Sequence, residues 1–516
     1  MGRRIRWLGL VLILYFGLVL LQLVNIQIPQ ASSLNAAATN PRNLATQFDD
    51  LRGTIRAADG TVLARSVRIP NARPGRRQYY RTYPTGTLFA GIVGFDSPFR
   101  GTAGVESQYD SQLSPHRQAA QTLGQLLSPA APTPDDVTLT VQPELQEVAR
   151  TALAHLPGPN RDGAVVVGDP RTGALLAMYS SPSFDPNALT DPTYTKEKQA
   201  SKADFTTADP EGHLPGRPLA TWYPELPGST FKVVTSTAVY HLKPTLATYR
   251  YPVVECTKYA VPLPTGITVC NDRDTPGGGA ACGGTMVQML AVSCDPGYAT
   301  IGYKLGPTVL SEQAEDFGYN SRPPIDLTSN TVQASPFPAV DELQPGTTKG
   351  PGPGGVPLAA FGQGTVRATA LQGFMVAEGV ADTGTVMTPH VMAQIHNAQG
   401  GVVATFPPTA YKQAATAAAA KKVSTLMQRV VTTPEGTAHR VGFTPNAHVA
   451  VKTGTAQIGT SLARVDDWMI GFAPYTNPRV AVAVLVPDQT TNTSGATVAG
   501  PIFKRVIQAA LTGVAP

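Results

Sequence analysis

Charged side chains are scarce in this sequence. Asp, Glu, Lys and Arg make up 15% of its 516 residues, and part of the net charge of +5 is Arg3, Arg4 and Arg6 at the start. No basic run is interleaved with aromatics, so no nucleic-acid partner is expected. The eight histidines offer no H-E-x-x-H or other ligand spacing, and they read as structural, with no metal. Heptads and internal repeats are missing too. Cysteine is rare and confined to Cys256, Cys270, Cys282 and Cys294. Zinc would need a C-x-x-C or a histidine among them, and neither is there. In an exported chain an even, clustered set suggests two disulfides. Three connectivities are open, and the expectation is sequential pairing, Cys256 with Cys270 and Cys282 with Cys294.

Long apolar runs are absent with one exception. Residues 8–28 carry no charge and, as a helix rising ~1.5 Å per residue, would cross a ~30 Å hydrocarbon core. Arginines ahead of this span predict a cytoplasmic tail (1–7), an uncleaved anchor (8–28) and the bulk of the chain outside, a single-pass protein of the cell membrane. A cleaved signal peptide is the rival, because Ala36-Ala37-Ala38 has the form of a cleavage site. It lies too far beyond a run already too long for a signal peptide.

What remains is globular, with 42% hydrophobic residues and with 49 Gly and 47 Pro implying many loops. RGTIRAADGTVLARS, from Arg52, suggests a hairpin about Ala58-Asp59-Gly60 within a small, irregular membrane-proximal domain (29–127). A proline-rich linker (128–136) leads to a large domain (137–516). There VQPELQEVARTAL has helical spacing and GAVVVGDPRTGALLAMYSS holds two strands. Far downstream, AHVAVKTGT, DDWMIGFAP and RVAVAVLVP read as three more strands, and PIFKRVIQAAL as a closing helix. Strands from both ends predict one mainly antiparallel sheet flanked by helices, an α/β (α+β) architecture without Rossmann alternation. Two loop-rich insertions, 185–217 and 346–355, read as exposed connectors.

The chemistry starts in ELPGSTFKVV, where Ser229 and Lys232 stand three apart at the head of a helical pattern. That spacing puts both on one face, so an amine can take a serine's proton. Taken alone, S-x-x-K is more often a cap beside a solvated lysine. Ser293, in AVSCDPGY, offers a proton relay. Lys452-Thr453-Gly454 supplies a cation to attract a carboxylate and a hydroxyl, with Gly454 expected to leave the strand edge open to a substrate. Glu225, just before the nucleophile, reads only as a charged loop residue.

In the order S-x-x-K, S-x-D, K-T-G, these motifs resemble those of the penicillin-binding protein and serine β-lactamase superfamily. RGTI with ADGTVLA, the GVE around Glu106, DPRTGALLAM, FDPN, PGSTFK, GQGTVRATALQ, VKTGTAQ and DWMIGFAP are similar to class B penicillin-binding proteins. That likeness runs from the anchor to the last helix. Composition and the cysteine inside the second motif look most like the actinobacterial A-type members. The resemblance implies a transpeptidase fold and a peptidoglycan D,D-transpeptidase acting on D-Ala-D-Ala stem peptides of lipid II-derived glycan. By the same likeness, Ser229 attacks the carbonyl, Lys232 takes its proton and Ser293 protonates the departing D-Ala. Lys452 with Thr453 and Thr455 holds the terminal carboxylate, and the backbone N–H groups of Ser229 and Thr455 form the oxyanion hole. β-Lactams would acylate the same serine, with no cofactor, and a SEDS-family glycosyltransferase is the implied membrane partner.

Asp295 departs from the family, which usually has Asn there. An ionised Asp only accepts hydrogen bonds, and its charge favours the ammonium form of Lys232, the wrong state for a base. Slower acylation is expected unless Asp295 is protonated. A class A β-lactamase would need an E-x-x-L-N stretch, which is missing, and a bifunctional synthase would need a longer upstream domain. A D,D-carboxypeptidase shares the site but uses water as acceptor. The alternative of another class is a weakened scaffold partnering a glycan polymerase, against which the intact S-x-x-K and K-T-G speak.

Overall fold

The strand-like runs read from both ends of the long C-terminal region meet in a single sheet of the computed structural model. The structure describes residues 51–72, 78–97, 100–115, 133–156, 161–190, 208, 212–259, 267–271, 280–343, 355–458 and 464–513, with positions 7, 9, 12, 14–19 and 22. The sheet runs Ala450–Ile458, Arg464–Ala473, Val480–Thr490, Gly163–Gly168, Leu175–Ser181, each neighbour antiparallel. Successive strand residues point to opposite faces, yet every residue of Gly163–Gly168 is buried, so both faces are covered. Helices Pro143–Ala154 and Ala499–Gly513 pack together on the sheet, and Ala370–Ala381 packs on it as well. That last helix is buried at every position. Ala450–Ile458 is left as the edge strand, and it carries Lys452, Thr453 and Thr455.

The small upstream region is less separate than its composition suggests. Its hairpin strands Ile55–Arg56 and Val62–Arg68, with Tyr79–Thr82, belong to a six-stranded sheet completed by Asp136–Leu139, Met392–His396 and Val402–Thr405. Asp136–Leu139 pairs in parallel with Ile55–Arg56 and antiparallel with Met392–His396. A boundary at residues 136 and 137 therefore cuts through one sheet. Val137 and Leu139 alternate inward and are fully buried, a strand signal that the preceding prolines obscured. Residues 128–132 of the expected linker lie outside the described residues. Two further joints tie the regions. Asn187 imitates a strand, accepting from Tyr83 N at 2.8 Å and donating to Tyr83 O at 2.9 Å. The Tyr109 hydroxyl donates to Asp326, whose carboxylate also caps Val391 N and Met392 N.

Within the small region Glu106 is fully buried and accepts from Arg81 Nε at 2.6 Å and Arg52 Nε at 2.7 Å. Burial pushes its carboxyl up, but the two guanidiniums outweigh that and hold it below the usual range. Most of the expected anchor, and residues 1–6 of the tail before it, lie outside the described residues. The described positions there are helical, but among the described residues no helix is long and apolar enough to cross a membrane. The single-pass expectation therefore gains no support from the fold. Insertion 346–354 also lies outside the described residues, as does most of 185–217.

Glu378, on the buried helix, is fully enclosed, and neither carboxyl oxygen has a hydrogen-bond partner among the described residues. Burial pushes this carboxyl well above the carboxylate range, with Asp382 and Asp169 adding to the effect. A raised folded value contributes stability that is present in acid and is lost as pH rises past ~4.3, where the unfolded chain ionises. Replacing Glu378 by Met removes that cost. Glu378→Met is expected to stabilise by about 1–3 kcal/mol at pH 7, the range for removing a buried polar group that lacks a hydrogen bond. Thermal unfolding of variant and wild type at pH 4 and pH 7 checks this, the gain being larger at pH 7.

Candidate active site

The nucleophile turn is built by backbone constraints. Gly228 has φ +49°, a left-handed conformation costly for any residue with a Cβ. Its N–H donates to Gly362 O at 3.0 Å, and Thr230 Oγ1 closes the turn on Pro227 O at 2.7 Å. The Trp468 indole donates to Leu226 O at 2.9 Å, fastening the turn to the sheet. Ser229 thus lies in the short 3-10 turn Gly228–Phe231, and Lys232 begins the helix Lys232–Leu242. The Ser229 hydroxyl is half-buried at the surface, while Lys232 points inward with no exposed area.

Lys232 Nζ is the centre of the constellation. It donates to Ser229 Oγ at 2.8 Å, to Ser293 O at 2.7 Å, to Asp295 Oδ1 at 2.5 Å, and at 3.1 Å to Ser293 Oγ. Ser293 presents both its carbonyl and its hydroxyl because its φ is +57°, left-handed backbone that costs about 1–2 kcal/mol outside glycine. Neighbouring groups hold it there. Cys294 is bonded to Cys282 and its N–H reaches Met289 O at 2.8 Å. Asp295 opens the helix Asp295–Asp316, whose N-terminal dipole favours a carboxylate. Asn271 is close by, but its amide is used: Oδ1 accepts Asp295 N at 3.3 Å and Nδ2 donates to Ala280 O. It does not replace the family asparagine.

Lys452, from the edge strand, comes to the same serine. Its Nζ lies 2.9 Å from Ser293 Oγ, 2.7 Å from Thr453 O and 3.4 Å from Thr453 Oγ1, and it too has no exposed area. Burial pushes its amine well below the usual lysine range, Lys232 adds to this, and Asp295 opposes it. A side chain so enclosed is not among those lining the cleft. Thr455 reaches the wall of the cleft, whereas Thr453 is buried; Thr453 Oγ1 is 2.7 Å from Thr437 Oγ1, and Thr455 Oγ1 receives Gly495 N at 3.1 Å. A cleft of about 530 Å3 adjoins the site, with Asp295, Thr455, Gln457, Phe361 and Arg367 on its walls. The hairpin strands Cys256–Tyr259 and Ile267–Cys270, joined by the Cys256–Cys270 disulfide, form its far lip through Thr268, Val269 and Cys270.

Two sequence expectations need correction. Gly454 does not keep the strand edge open: a Cβ there would lie 2.8 Å from Pro227 O and 2.9 Å from Thr230 Cγ2, so the missing side chain lets the strand touch the nucleophile turn. Glu225 is more than a charged loop residue. It forms a backbone bridge with Ala368 and faces His213 Nε2 at 3.5 Å. Thr437 and the fastening of Leu226 by Trp468 were not readable from spacing, since neither partner is near in sequence. Gly362 had a signal, the G-Q-G run.

A profile of the penicillin binding protein transpeptidase domain matches residues 163–508, and one of the penicillin binding protein A dimerisation domain matches residues 52–137. The chain is 31% identical over 509 residues to the peptidoglycan D,D-transpeptidase PbpA of Mycolicibacterium smegmatis, covering 96% of each chain. It is also 31% identical to the protein of that name from Mycobacterium tuberculosis, covering 99% of this chain and 100% of the relative. Among solved structures, it is similar to penicillin-binding protein A from M. tuberculosis in an imipenem acyl-enzyme complex. The TM-score is 0.76 at 28% identity, covering 90% of this chain and 100% of that one.

The contact at Gly454 gives a direct test. Gly454→Ala forces a methyl group against Pro227 O and Thr230, and overpacking of this kind costs about 1–3 kcal/mol. A lowered denaturation midpoint is the expected outcome. An unchanged midpoint would show that the strand and the turn are not in contact.

Proposed function

The chain belongs to the penicillin-binding protein transpeptidase family, and we propose the following division of labour in its peptidoglycan D,D-transpeptidase reaction. Ser229 attacks the carbonyl between the last two residues of a D-Ala-D-Ala stem peptide, and the alanine leaves. An amine of a neighbouring stem peptide then resolves the acyl-enzyme and forms the cross-link. The observation that carries this reading is the 2.8 Å contact between Ser229 Oγ and a fully buried lysine, itself joined through Ser293 to a second buried lysine. Lys232 and Ser293 conduct the proton, and the Ser229 and Thr455 N–H groups receive the oxyanion. The hydroxyls of Thr453 and Thr455 take the terminal carboxylate, with Lys452 behind them. β-Lactams enter the same cleft and acylate the same serine.

Asp295 sets the pace. Its carboxylate, 2.5 Å from Lys232 Nζ, favours the ammonium form and opposes the transfer of the Ser229 proton to that amine. Acylation is therefore slower than with an asparagine at this position.

The same reading extends to placement. Arg3, Arg4 and Arg6 before the apolar stretch 8–28 support a membrane anchor with the catalytic bulk outside, and two disulfides fit an oxidising compartment. The division into tail (1–7), anchor (8–28), membrane-proximal domain (29–127), linker (128–136) and transpeptidase domain (137–516) fits it along the sequence, although the six-stranded sheet joins the small domain to the large one across residues 136 and 137. A SEDS-family glycosyltransferase, met through the anchor and small domain, is the partner that the family resemblance implies.

Covalent labelling of the full-length protein with a fluorescent penicillin tests the core of this. Ser229→Ala is expected to abolish labelling, and labelling that survived would remove Ser229 from its role. Asp295→Asn is expected to label about ten-fold faster or more, since each ~1.4 kcal/mol off the barrier is tenfold. A rate that is unchanged or lower would discard the brake at Asp295. Incubation with donor and acceptor stem peptides then distinguishes cross-linking from hydrolysis by the product formed.

A further inference from the structure

The two buried lysines are not equivalent. An ammonium has three N–H donors and no acceptor, while a neutral amine has two donors and one lone pair. Three close acceptors surround Lys232 Nζ, one of them the Asp295 carboxylate at 2.5 Å. Among the described residues the hydrogen-bond partners of Lys452 Nζ are neutral: Thr453 O and Thr453 Oγ1, which suit two donors, and the Ser293 hydroxyl at 2.9 Å, which can donate to the lone pair. The charged groups acting on Lys452 are Lys232, which opposes a second positive charge beside it, and Asp295, which is committed to Lys232. Lys452 is also fully enclosed, where a charge without a counter-charge is costly.

We propose that Lys452 is the neutral amine of the resting enzyme and that it accepts the Ser229 proton through Ser293, while Lys232 stays charged. This rests on the transpeptidase reading of the site. In the acylation step Lys232 passes one proton to Ser293 Oγ, and Ser293 passes its own to the Lys452 lone pair. Lys232 then takes the Ser229 proton as Ser229 Oγ bonds to the substrate carbonyl carbon. Lys232 is an ammonium before and after, and the net transfer runs from Ser229 to Lys452. When the C–N bond breaks, the proton returns from Lys452 through Ser293 to the leaving nitrogen. A carboxylate held by Thr453 and Thr455 brings a negative charge next to Lys452, so the arriving substrate strengthens the base that its own acylation requires.

The experiment is lysine NMR on the full-length protein labelled with 13C at Cε, alongside acylation kinetics. The expected spectrum at pH 7 shows one neutral lysine, and that signal is missing from Lys452→Met. A spectrum without a neutral lysine, or a neutral signal that survives Lys452→Met, overturns the proposal. Should Lys452→Met not fold, Lys452→Arg serves, because a guanidinium keeps the positive charge but accepts no proton. The expected result with a β-lactam is a fall of about 100-fold or more in the acylation rate constant at an unchanged binding constant. A fall of ten-fold or less, or one confined to binding, would make Lys452 an anchor only. Mass spectrometry of the penicillin adduct on wild-type Ser229 is read separately: its absence defeats the transpeptidase reading, whereas its presence beside a charged Lys452 defeats only this inference.

Discussion

A lysine ammonium buried at the head of a helix is costly, and the surroundings of Lys232 are organised around that cost. Removing a charge from water is offset only by close, well-aligned partners. Asp295, the Ser293 carbonyl and the Ser229 hydroxyl supply them. To aim its carbonyl at the ammonium, Ser293 adopts left-handed backbone, and the Cys282–Cys294 disulfide and the helix beginning at Asp295 fix the residues beside it. The same contact orients the nucleophile, because its hydroxyl is one of the close partners of Lys232 Nζ.

Holding that cluster together requires chain segments far apart in sequence to approach closely. Gly228 lets the turn bend against Gly362, and Gly454 lets the edge strand lie on the turn. Trp468 on the neighbouring strand then pins Leu226. With the sheet edge, the nucleophile helix and the Ser293 loop each fixed in this way, Ser229, Lys232, Ser293 and Lys452 need little movement to act. Such preorganisation is where catalytic groups gain most over the same groups in water.

Local features of this arrangement were legible in the sequence, and long-range ones were not. The S-x-x-K spacing is a property of one helical turn, and the strands at 163–181 and 450–490 announce themselves by apolar runs. Gly454 was misread because a glycine in a strand looks the same whether a ligand or another backbone fills the space beside it. Ala370–Ala381 is buried on all sides and carries no amphipathic stripe to give it away. The six-stranded sheet was hidden for a different reason. Its middle strand, Asp136–Leu139, is too short to stand out beside a proline-rich stretch, and its partners come from residues 55–56 and 392–396. Asn187 is harder still, since a side-chain amide doing the work of a strand leaves no periodic trace.

Charge balance explains why an aspartate at position 295 changes more than one hydrogen bond. Two amines share Ser293 Oγ with no water-exposed area between them, and mutual repulsion in such a setting disfavours two positive charges. With an asparagine at 295 the carboxylate charge that favours an ammonium at Lys232 would be gone, and burial would weigh more in deciding which lysine loses its proton. The Asp295 carboxylate lies 2.5 Å from Lys232 Nζ, so it decides the matter in favour of a charged Lys232 and leaves Lys452 as the amine with a lone pair for the Ser293 hydroxyl. The substitution therefore moves the base one residue along the proton path, from the lysine that touches the nucleophile to the one that lies behind the carboxylate site.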